Sequence, residues 1–327
     1  MTHPGQILGI SGAYWRSSVL HAAVNLDLFT LVGDESLTAP QISSRVGAHE
    51  RGTATLLNSV VALGLMQKKD GKFSNTPLSL QYLSSESPSY VGPMIKHHSH
   101  LARAWVKLDE AVKTGEPVQR SSSGSSGAIQ DAFLRGMHVL AMGIAPQLVP
   151  TIDLEGRNTL LDLGGGPGTW AIQFALANPG LQATIFDLPG SRPFAEKTIG
   201  QFNASDQVVF HGGDFTVHDL PGKFDVAWLS HILHGEDPLT CRSLVAKAVD
   251  ALNDRGLIFI HEFILDDDGA SPAFPAIFSL NMLLVTRGGR SYRQLELQDM
   301  LAQAGVTKTR ILDFVGPTQS RILVGEK

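Results

Sequence analysis

The stretch Thr159-Leu-Leu-Asp-Leu-Gly-Gly-Gly-Pro-Gly168 decides the fold of this chain, because it joins a buried strand directly to a glycine-rich turn. Its first half is short and aliphatic, as a parallel strand covered on both faces should be. The G-x-G-x-G turn that follows lacks Cβ atoms at the positions where a ligand would approach the backbone. Residues 170–177 continue with helical character. The whole unit predicts a doubly wound α/β sheet with a nucleotide-like ligand across the carboxyl end of the strand.

Acidic and aromatic residues follow the next predicted strands where an adenosine would need them. Residues 183–187 form a predicted strand that ends at Asp187, followed by Leu188. The Asp187 carboxylate can accept both ribose hydroxyls. A third predicted strand is followed by Asp214 and Phe215, which could receive the adenine amino group and stack on the ring. A purely structural role for the glycine turn is the alternative, but three such features on successive strands favour a binding site.

Two details of the glycine turn argue against a dinucleotide. The turn is G-x-G-x-G and not G-x-G-x-x-G, and Pro167 removes an amide that a pyrophosphate would bind. S-adenosylmethionine carries no phosphate, so its binding does not need the amide that Pro167 lacks. Here the sequence resembles the class I S-adenosylmethionine-dependent methyltransferases, whose first motif is an acidic strand end before the glycines. The resemblance implies S-adenosyl-L-methionine as cofactor, with contacts from Asp162, Gly164 and Gly166.

Three later motifs resemble those of the plant-type and bacterial small-molecule O-methyltransferases, such as the caffeate, hydroxyneurosporene and acetylserotonin enzymes. Ser230-His-Ile-Leu-His-Gly-Glu-Asp237 is similar to their Leu-His-Asp-Trp segment. Leu257–Leu265 is similar to their next strand, which carries a glutamate, and Gly288–Glu296 to their Gly-Gly turn. The resemblance covers nearly the whole chain. It implies a Rossmann-like methyltransferase sheet preceded by an α-helical, winged-helix dimerisation domain.

The same resemblance predicts a catalytic pair. His234 lies at the position of the family's catalytic histidine, and Glu262 matches the glutamate that hydrogen-bonds to that imidazole. A neutral imidazole can take the proton of a hydroxyl as the methyl group is transferred. A carboxylate partner fixes the imidazole tautomer and stabilises the imidazolium. The alternative for His234 is an ordinary histidine in a surface loop.

Several residues depart from the family pattern. Gly235 and Glu236 replace an aspartate and a tryptophan, and Ser291 replaces a second orienting glutamate. Ser230 replaces a lysine common in the plant enzymes, and we expect it to bind the cofactor. The base is therefore expected to have one orienting carboxylate instead of two. These departures bear on the identity of the acceptor more than on methyl transfer.

Candidate substrate-binding residues lie where family members place pocket side chains, namely Met137, Phe278, Asn281 and Met282. Apolar helix faces look the same when they only fill a core, and both interpretations stay open.

A histidine cluster, His97, His98 and His100, could suggest a metal site. No cysteine or paired carboxylate lies nearby in the sequence to complete a ligand set. We expect these histidines to line a polar pocket or the surface, and we expect no metal.

The chain is predicted to have three parts. Residues 1–88 form the dimerisation domain, residues 89–150 a helical linker that contributes to the substrate pocket, and residues 151–327 the catalytic domain. Within the linker, Arg120–Gly127 is rich in serine and glycine, typical of a flexible polar loop over the active site or of disorder.

Composition limits the partners. With 327 residues, 43% of them hydrophobic, the chain can form two sizeable cores. Its net charge of −5 and scattered cations do not suggest nucleic-acid binding. In the predicted winged helix, the helix at residues 49–66 would have to read DNA, and Arg51 is its only Arg or Lys. The single Cys241 fits a reducing cytoplasm, and no apolar run is long enough to suggest a membrane span.

Together these features predict a cytoplasmic homodimer that transfers a methyl group to a hydroxyl of a small, aromatic or polycyclic metabolite. Methylation at carbon, nitrogen or sulfur on the same fold is one alternative. A non-catalytic, cofactor-binding regulatory dimer is another.

Overall fold

A computed structural model describes residues 3–119, 121 and 127–327, so most of the predicted Arg120–Gly127 loop lies outside the described residues. The described residues cluster into two compact units. The first comprises Met1–Arg103 with Ser126–Val139, and the second Ala104–Ser125 with Leu140–Lys327. The domain limits expected from the sequence, at residues 88 and 150, stay a prediction.

The first part of the chain is helical with a small sheet. Its elements are α1 (Gly5–Gly12), α2 (Tyr14–Asn25), α3 (Leu28–Val32), β1 (Leu37–Thr38), α4 (Ala39–Val46), α5 (Glu50–Ala62), β2 (Met66–Lys69), β3 (Lys72–Asn75), α6 (Pro77–Leu83) and α7 (Gly92–Trp105). A capping box at Thr38 starts α4, with Gln41 bonding back to the Thr38 amide at 2.8 Å. Asp70 and Gly71 both have positive φ at the tip of the β2–β3 hairpin, as a type I′ turn requires.

The core of the first unit lies among α3, α4, α5 and the hairpin, where Phe29, Ile42, Leu57 and Phe73 are buried. The helix–helix–hairpin order agrees with a winged helix, which stays a prediction.

By contrast, α1 buries no residue, and its Ile10 is 79% exposed. A helix this apolar and this exposed indicates a surface that another molecule covers.

The rest of the chain builds a seven-stranded sheet. Its elements are α8 (Leu108–Thr114), α9 (Ala128–Met142), α10 (Ala145–Leu148), β4 (Thr159–Leu163), α11 (Thr169–Ala177), β5 (Gln182–Asp187), α12 (Arg192–Gln201), β6 (Val208–Gly212), β7 (Phe224–Ser230), α13 (Pro238–Asp250), β8 (Leu252–Glu262), α14 (Ala273–Val285), α15 (Gln294–Gln303), β9 (Thr309–Ile311) and β10 (Arg321–Glu326). The strand order is β6-β5-β4-β7-β8-β10-β9. Strands β4 to β8 are parallel, and β10 is antiparallel to both its neighbours. The predicted doubly wound α/β sheet is confirmed.

Both faces of this sheet are buried. Val226 and Trp228 of β7 belong to one hydrophobic cluster, and Ala227 and Leu229 to the other, so alternate residues supply opposite faces. From β4 the chain adds β5 and β6 on one side, and it then crosses to add β7 and β8 on the other side, so the strand order reverses between β4 and β7. Such a switch point opens a crevice at the carboxyl ends of the strands, where ligands bind in doubly wound sheets.

One described helical stretch, Ala128–Thr151, is long and apolar enough by length and composition to cross a membrane, and 33% of its 18-residue apolar window is buried inside the protein. Core helices of other proteins meet the same two criteria. The expectation that the protein has no membrane partner stays a prediction.

Candidate active site

The glycine turn after β4 adopts the backbone that its sequence predicts. Gly164, Gly166 and Gly168 have φ values of 69°, 52° and 77°, a region that side chains with a Cβ rarely occupy. A Cβ on Gly164 would lie 2.4 Å from the Cγ2 atom of Ile232, in the loop after β7. Glycine is therefore needed here for backbone conformation and for the close approach of the two loops at the switch point.

Asp162, predicted to contact the cofactor, is fully buried beneath the turn. One carboxylate oxygen accepts the Ala171 amide at 3.1 Å, and the other has no partner among the described residues. Burial, with a contribution from the nearby Asp187 carboxylate, raises the pKa of Asp162 to about 7. The structure thus places Asp162 as a brace between β4 and α11, and its contact with a cofactor stays a prediction.

Asp187 ends β5 and is partly exposed at the crevice. Its Oδ2 accepts the Gly166 amide at 2.8 Å, and its Oδ1 accepts the Leu188 amide and the Ser191 hydroxyl. Burial raises the pKa of this carboxylate, although these hydrogen bonds oppose the rise. Because Oδ2 has a single partner, it retains a lone pair for a ribose hydroxyl. Leu188 is 37% exposed beside it.

The remaining predicted cofactor residues lie after the neighbouring strands. Asp214 accepts the amide and hydroxyl of Thr216 through Oδ1, which shapes the loop after β6. Phe215 is partly buried against the core and would lie 3.5 Å from a Cβ on Gly164. Ser230 ends β7, and its hydroxyl bonds to Nδ1 of the buried His261 at 3.0 Å.

These residues fit S-adenosylmethionine on three physical grounds. Gly164 and Gly165 of the glycine turn are partly exposed, and Pro167 offers no amide to a phosphate. The Asp187 carboxylate is available to a diol at the strand end. A carboxylate at this edge of the crevice also favours a sulfonium cation over a pyrophosphate.

His234 and Glu262 are brought together by the pairing of β7 with β8. His234 lies in a short 3-10 turn, Leu233–Gly235, just beyond β7, and Glu262 is the last residue of β8. Nδ1 of His234 is 2.8 Å from Oε2 of Glu262, and the His234 amide donates to Oε1 at 3.2 Å. The Phe263 amide also donates to Oε2 at 3.1 Å. The carboxylate thus accepts from both the backbone and the ring, which determines the orientation of the imidazole.

The electrostatics of the pair suit a base and its orienting anion. Burial of Glu262 favours the neutral acid, but the neighbouring His234 and His231 outweigh it and hold the pKa of Glu262 well below its usual range. Glu262 is therefore an anion at neutral pH. When it accepts from Nδ1, the Nε2 atom of His234 carries the lone pair that can remove a proton.

Ser291 does not act as a second partner of the base in the structure. It is 1% exposed, and its hydroxyl donates to the Pro275 carbonyl at 2.8 Å. Its amide donates to the Ser279 hydroxyl at 3.1 Å. Ser291 therefore ties the loop after α14 to that helix.

Aromatic rings surround the exposed side of His234. Phe278 meets the imidazole edge-on with ring centroids 4.9 Å apart, and Phe263 stacks on it at 5.8 Å. Phe274 continues this wall at 5.0 Å from Phe263 and is 38% exposed. Flat apolar walls beside a base favour an aromatic acceptor.

The other predicted substrate residues have mixed surroundings. Asn281 is buried, and its side-chain oxygen accepts the Trp105 indole N–H at 3.1 Å. Met282 is also buried, at 7% exposure. Met137 is half-buried on α9, in the first unit. A substrate role for the four residues, Phe278 included, stays a prediction.

Sequence reasoning missed His231 and His261. His261 is fully buried, with Ser230 and Ser320 hydroxyls at its two nitrogens, and burial together with His231 holds its pKa well below the usual range. His231 lies 3.7 Å from Oε2 of Glu262 and packs on the rings of His261 and Phe263. Its position three residues before His234 was the available signal.

The histidines of α7 form no three-ligand metal group in the part of the chain that the structure describes. His97 is buried against Phe133, 5.4 Å between ring centroids. Burial and the nearby His98 and His100 lower its pKa to about 4, so it is neutral at pH 7.

Comparisons with known proteins agree with this geometry. Residues 106–307 match the O-methyltransferase domain family, and residues 8–85 match the O-methyltransferase dimerisation domain. The tetracenomycin polyketide synthesis 8-O-methyltransferase TcmO of Streptomyces glaucescens is 34% identical over 99% of this chain and 97% of its own length.

Two further proteins extend the likeness. The 3-hydroxy-5-methyl-1-naphthoate 3-O-methyltransferase of Streptomyces sahachiroi is 30% identical over 99% of this chain and 95% of its own. The structure of human N-acetylserotonin methyltransferase in complex with S-adenosylmethionine aligns with a TM-score of 0.85 at 26% identity, over 100% of this chain and 98% of that one. The chain therefore belongs to the O-methyltransferase family and is an S-adenosylmethionine-dependent methyltransferase with an amino-terminal dimerisation domain.

Proposed function

We propose that this protein methylates a hydroxyl of a small aromatic or polycyclic metabolite, with His234 as general base and Glu262 as its orienting carboxylate. The observation that carries the proposal is the 2.8 Å contact between Nδ1 of His234 and the buried, ionised carboxylate of Glu262. A phenol ordinarily has a pKa near 10, so it needs such a base to react at neutral pH.

Bound S-adenosylmethionine would supply the activated methyl group. Asp187 would hold the ribose diol, Asp214 and Phe215 the adenine, and the glycine turn the adjoining backbone contacts. His234 takes the acceptor proton at Nε2 while its Nδ1–H stays bonded to Glu262. The carboxylate stabilises the imidazolium so formed, and the proton later leaves to solvent. The rings of Phe263, Phe274 and Phe278 orient the acceptor and exclude water from the reacting hydroxyl.

The names of the two Streptomyces relatives, a polyketide 8-O-methyltransferase and a naphthoate 3-O-methyltransferase, support a hydroxylated fused-ring acceptor. The test is a screen of hydroxylated naphthoates, anthraquinones and simple phenols with methyl-labelled S-adenosylmethionine, in which the product and the methylated atom are identified. Methylation of an oxygen that His234→Ala abolishes supports the proposal. Methylation at carbon, nitrogen or sulfur, or turnover that survives His234→Ala, refutes it.

We also propose that the chain forms a homodimer through α1 and α2. Ile7, Ile10 and Trp15 are each more than 60% exposed there, and the dimerisation-domain match begins at residue 8. Burying such apolar area is favourable and suits a two-fold interface. Light scattering at micromolar concentration should give twice the chain mass, and Ile7→Asp with Ile10→Asp should lower it. A monomeric wild type contradicts this proposal.

Nucleic acid and membranes are not proposed as partners, and the cytoplasm is the proposed location.

A further inference from the structure

The side chain of His231 has no assigned role, although it occupies a costly backbone position next to the base. Its φ is 56°, in the left-handed region that non-glycine residues seldom adopt. Its amide donates to the His261 carbonyl at 2.9 Å, which holds this conformation. Strained positions of this kind concentrate at functional sites.

The nitrogen Nδ1 of His231 is buried and lacks a hydrogen-bond partner among the described residues. It lies 3.7 Å from Oε2 of Glu262, while Nδ1 of His234 lies 2.8 Å from the same oxygen. All three ligand atoms fall within 4.8 Å of one another. A tetrahedral zinc site places its ligand atoms about 3.4 Å apart, so the two measured distances bracket the required spacing.

We propose that Nδ1 of His231, Nδ1 of His234 and the Glu262 carboxylate form a binding site for a divalent transition-metal ion such as Zn²⁺, which switches the base off. Two neutral imidazoles and one carboxylate are a donor set that such ions prefer. The ligands stand at the ends of β7 and β8 and in the short turn between β7 and α13, so little reordering is needed. The His231 side chain is 25% exposed, so solvent reaches part of the ring beside the site.

The effect on catalysis follows from imidazole tautomerism and rests on the proposed function. In the metal-free pair, Nδ1 of His234 carries the hydrogen and Nε2 the lone pair. An ion on Nδ1 displaces that hydrogen, and the neutral ring then carries its single hydrogen on Nε2. The atom that should accept the hydroxyl proton is thereby occupied. Neither S-adenosylmethionine nor the acceptor has to leave, so inhibition should not be relieved by raising either concentration.

The test is direct binding of Zn²⁺ to the full-length, chelator-treated protein by calorimetry. We expect one ion per chain, and His231→Asn should weaken the affinity by at least about 100-fold, because losing even a group that only supports a metal ligand costs about 10- to 100-fold. His49→Asn is the matched control, since His49 is an exposed histidine at the start of α5, and it should bind as the wild type does. Equal affinity of His231→Asn and the wild type would overturn the metal site.

A second measurement needs no variant. Co²⁺ bound by the wild type should give the intense visible absorption of a four-coordinate site, and Zn²⁺ should displace it. A spectrum like that of Co²⁺ in buffer overturns the site.

Turnover measured with Zn²⁺ separates the metal-site proposal from the proposal that His234 is the base. Binding of Zn²⁺ without inhibition contradicts the role of His234 as base, whereas no binding contradicts only the metal site. Recovery of activity with a chelator supports both.

Discussion

Replacing Glu262 by glutamine isolates the charge of the orienting carboxylate. In the structure Oε2 accepts from Nδ1 of His234 and from the Phe263 amide, and Oε1 accepts from the His234 amide. A glutamine oxygen in the Oε2 position keeps two of these three contacts and the imidazole tautomer. Its NH₂ group then faces the His234 amide, and the negative charge is gone.

The size of the effect follows from those contacts. A hydrogen bond to an ion contributes about 1.5–3 kcal/mol, and this contribution grows as the imidazolium forms in the transition state. We therefore expect kcat to fall about 10- to 150-fold, since 1.4 kcal/mol corresponds to about tenfold. The affinity for S-adenosylmethionine should not change, because Glu262 lies outside the residues proposed to hold the cofactor.

The assay is steady-state turnover with the acceptor found in the screen, together with calorimetry for the cofactor. Glu296→Gln is the matched control: Glu296 also has a lowered pKa, about 2, but it pairs with Arg290 and Arg293 and not with a histidine. It should leave kcat within about twofold. An unchanged kcat in Glu262→Gln, measured on folded protein, would falsify the assignment of Glu262 as the partner of the base.

Three further outcomes are expected. His234→Ala should lower turnover by ~10²–10⁴ with cofactor affinity intact, as kinetics and calorimetry will show; parallel losses of both would point to misfolding. Asp187→Ala should weaken S-adenosylmethionine binding by about 1.5–3 kcal/mol, partly because the Gly166 amide loses its partner, and an unchanged affinity removes Asp187 from the site. Asp162 has a pKa of about 7 against 3.8 for the free group, so it stabilises the fold below pH 4 and loses this contribution as the pH rises through 7. The free energy of unfolding of Asp162→Asn should therefore rise by up to about 4 kcal/mol relative to that of the wild type between pH 4 and pH 8. Denaturant unfolding of both proteins measures this difference, and a difference that does not change with pH contradicts the prediction.

The sequence by itself determined the nucleus of the catalytic domain. A five-residue aliphatic strand, a turn with glycine at each position of positive φ and a following helix are local features, and β4, Gly164–Gly168 and α11 appear as predicted. The strand end at Asp187 was also placed correctly, because a hydrophobic run and its polar terminus are local in the chain. The family followed from the spacing and order of these motifs.

The family resemblance paired His234 with Glu262, but only the tertiary structure shows how the fold brings such side chains into contact. His234 and Glu262 are 28 residues apart, and their contact depends on the parallel register of β7 and β8, in which Ser230 lies opposite His261. The same register brings Nδ1 of His231 within 3.7 Å of Oε2 of Glu262. Burial likewise made Asp162 a brace under the turn. Sequence patterns encode local periodicity and backbone conformation, whereas strand order and register set the long-range contacts on which the chemistry depends.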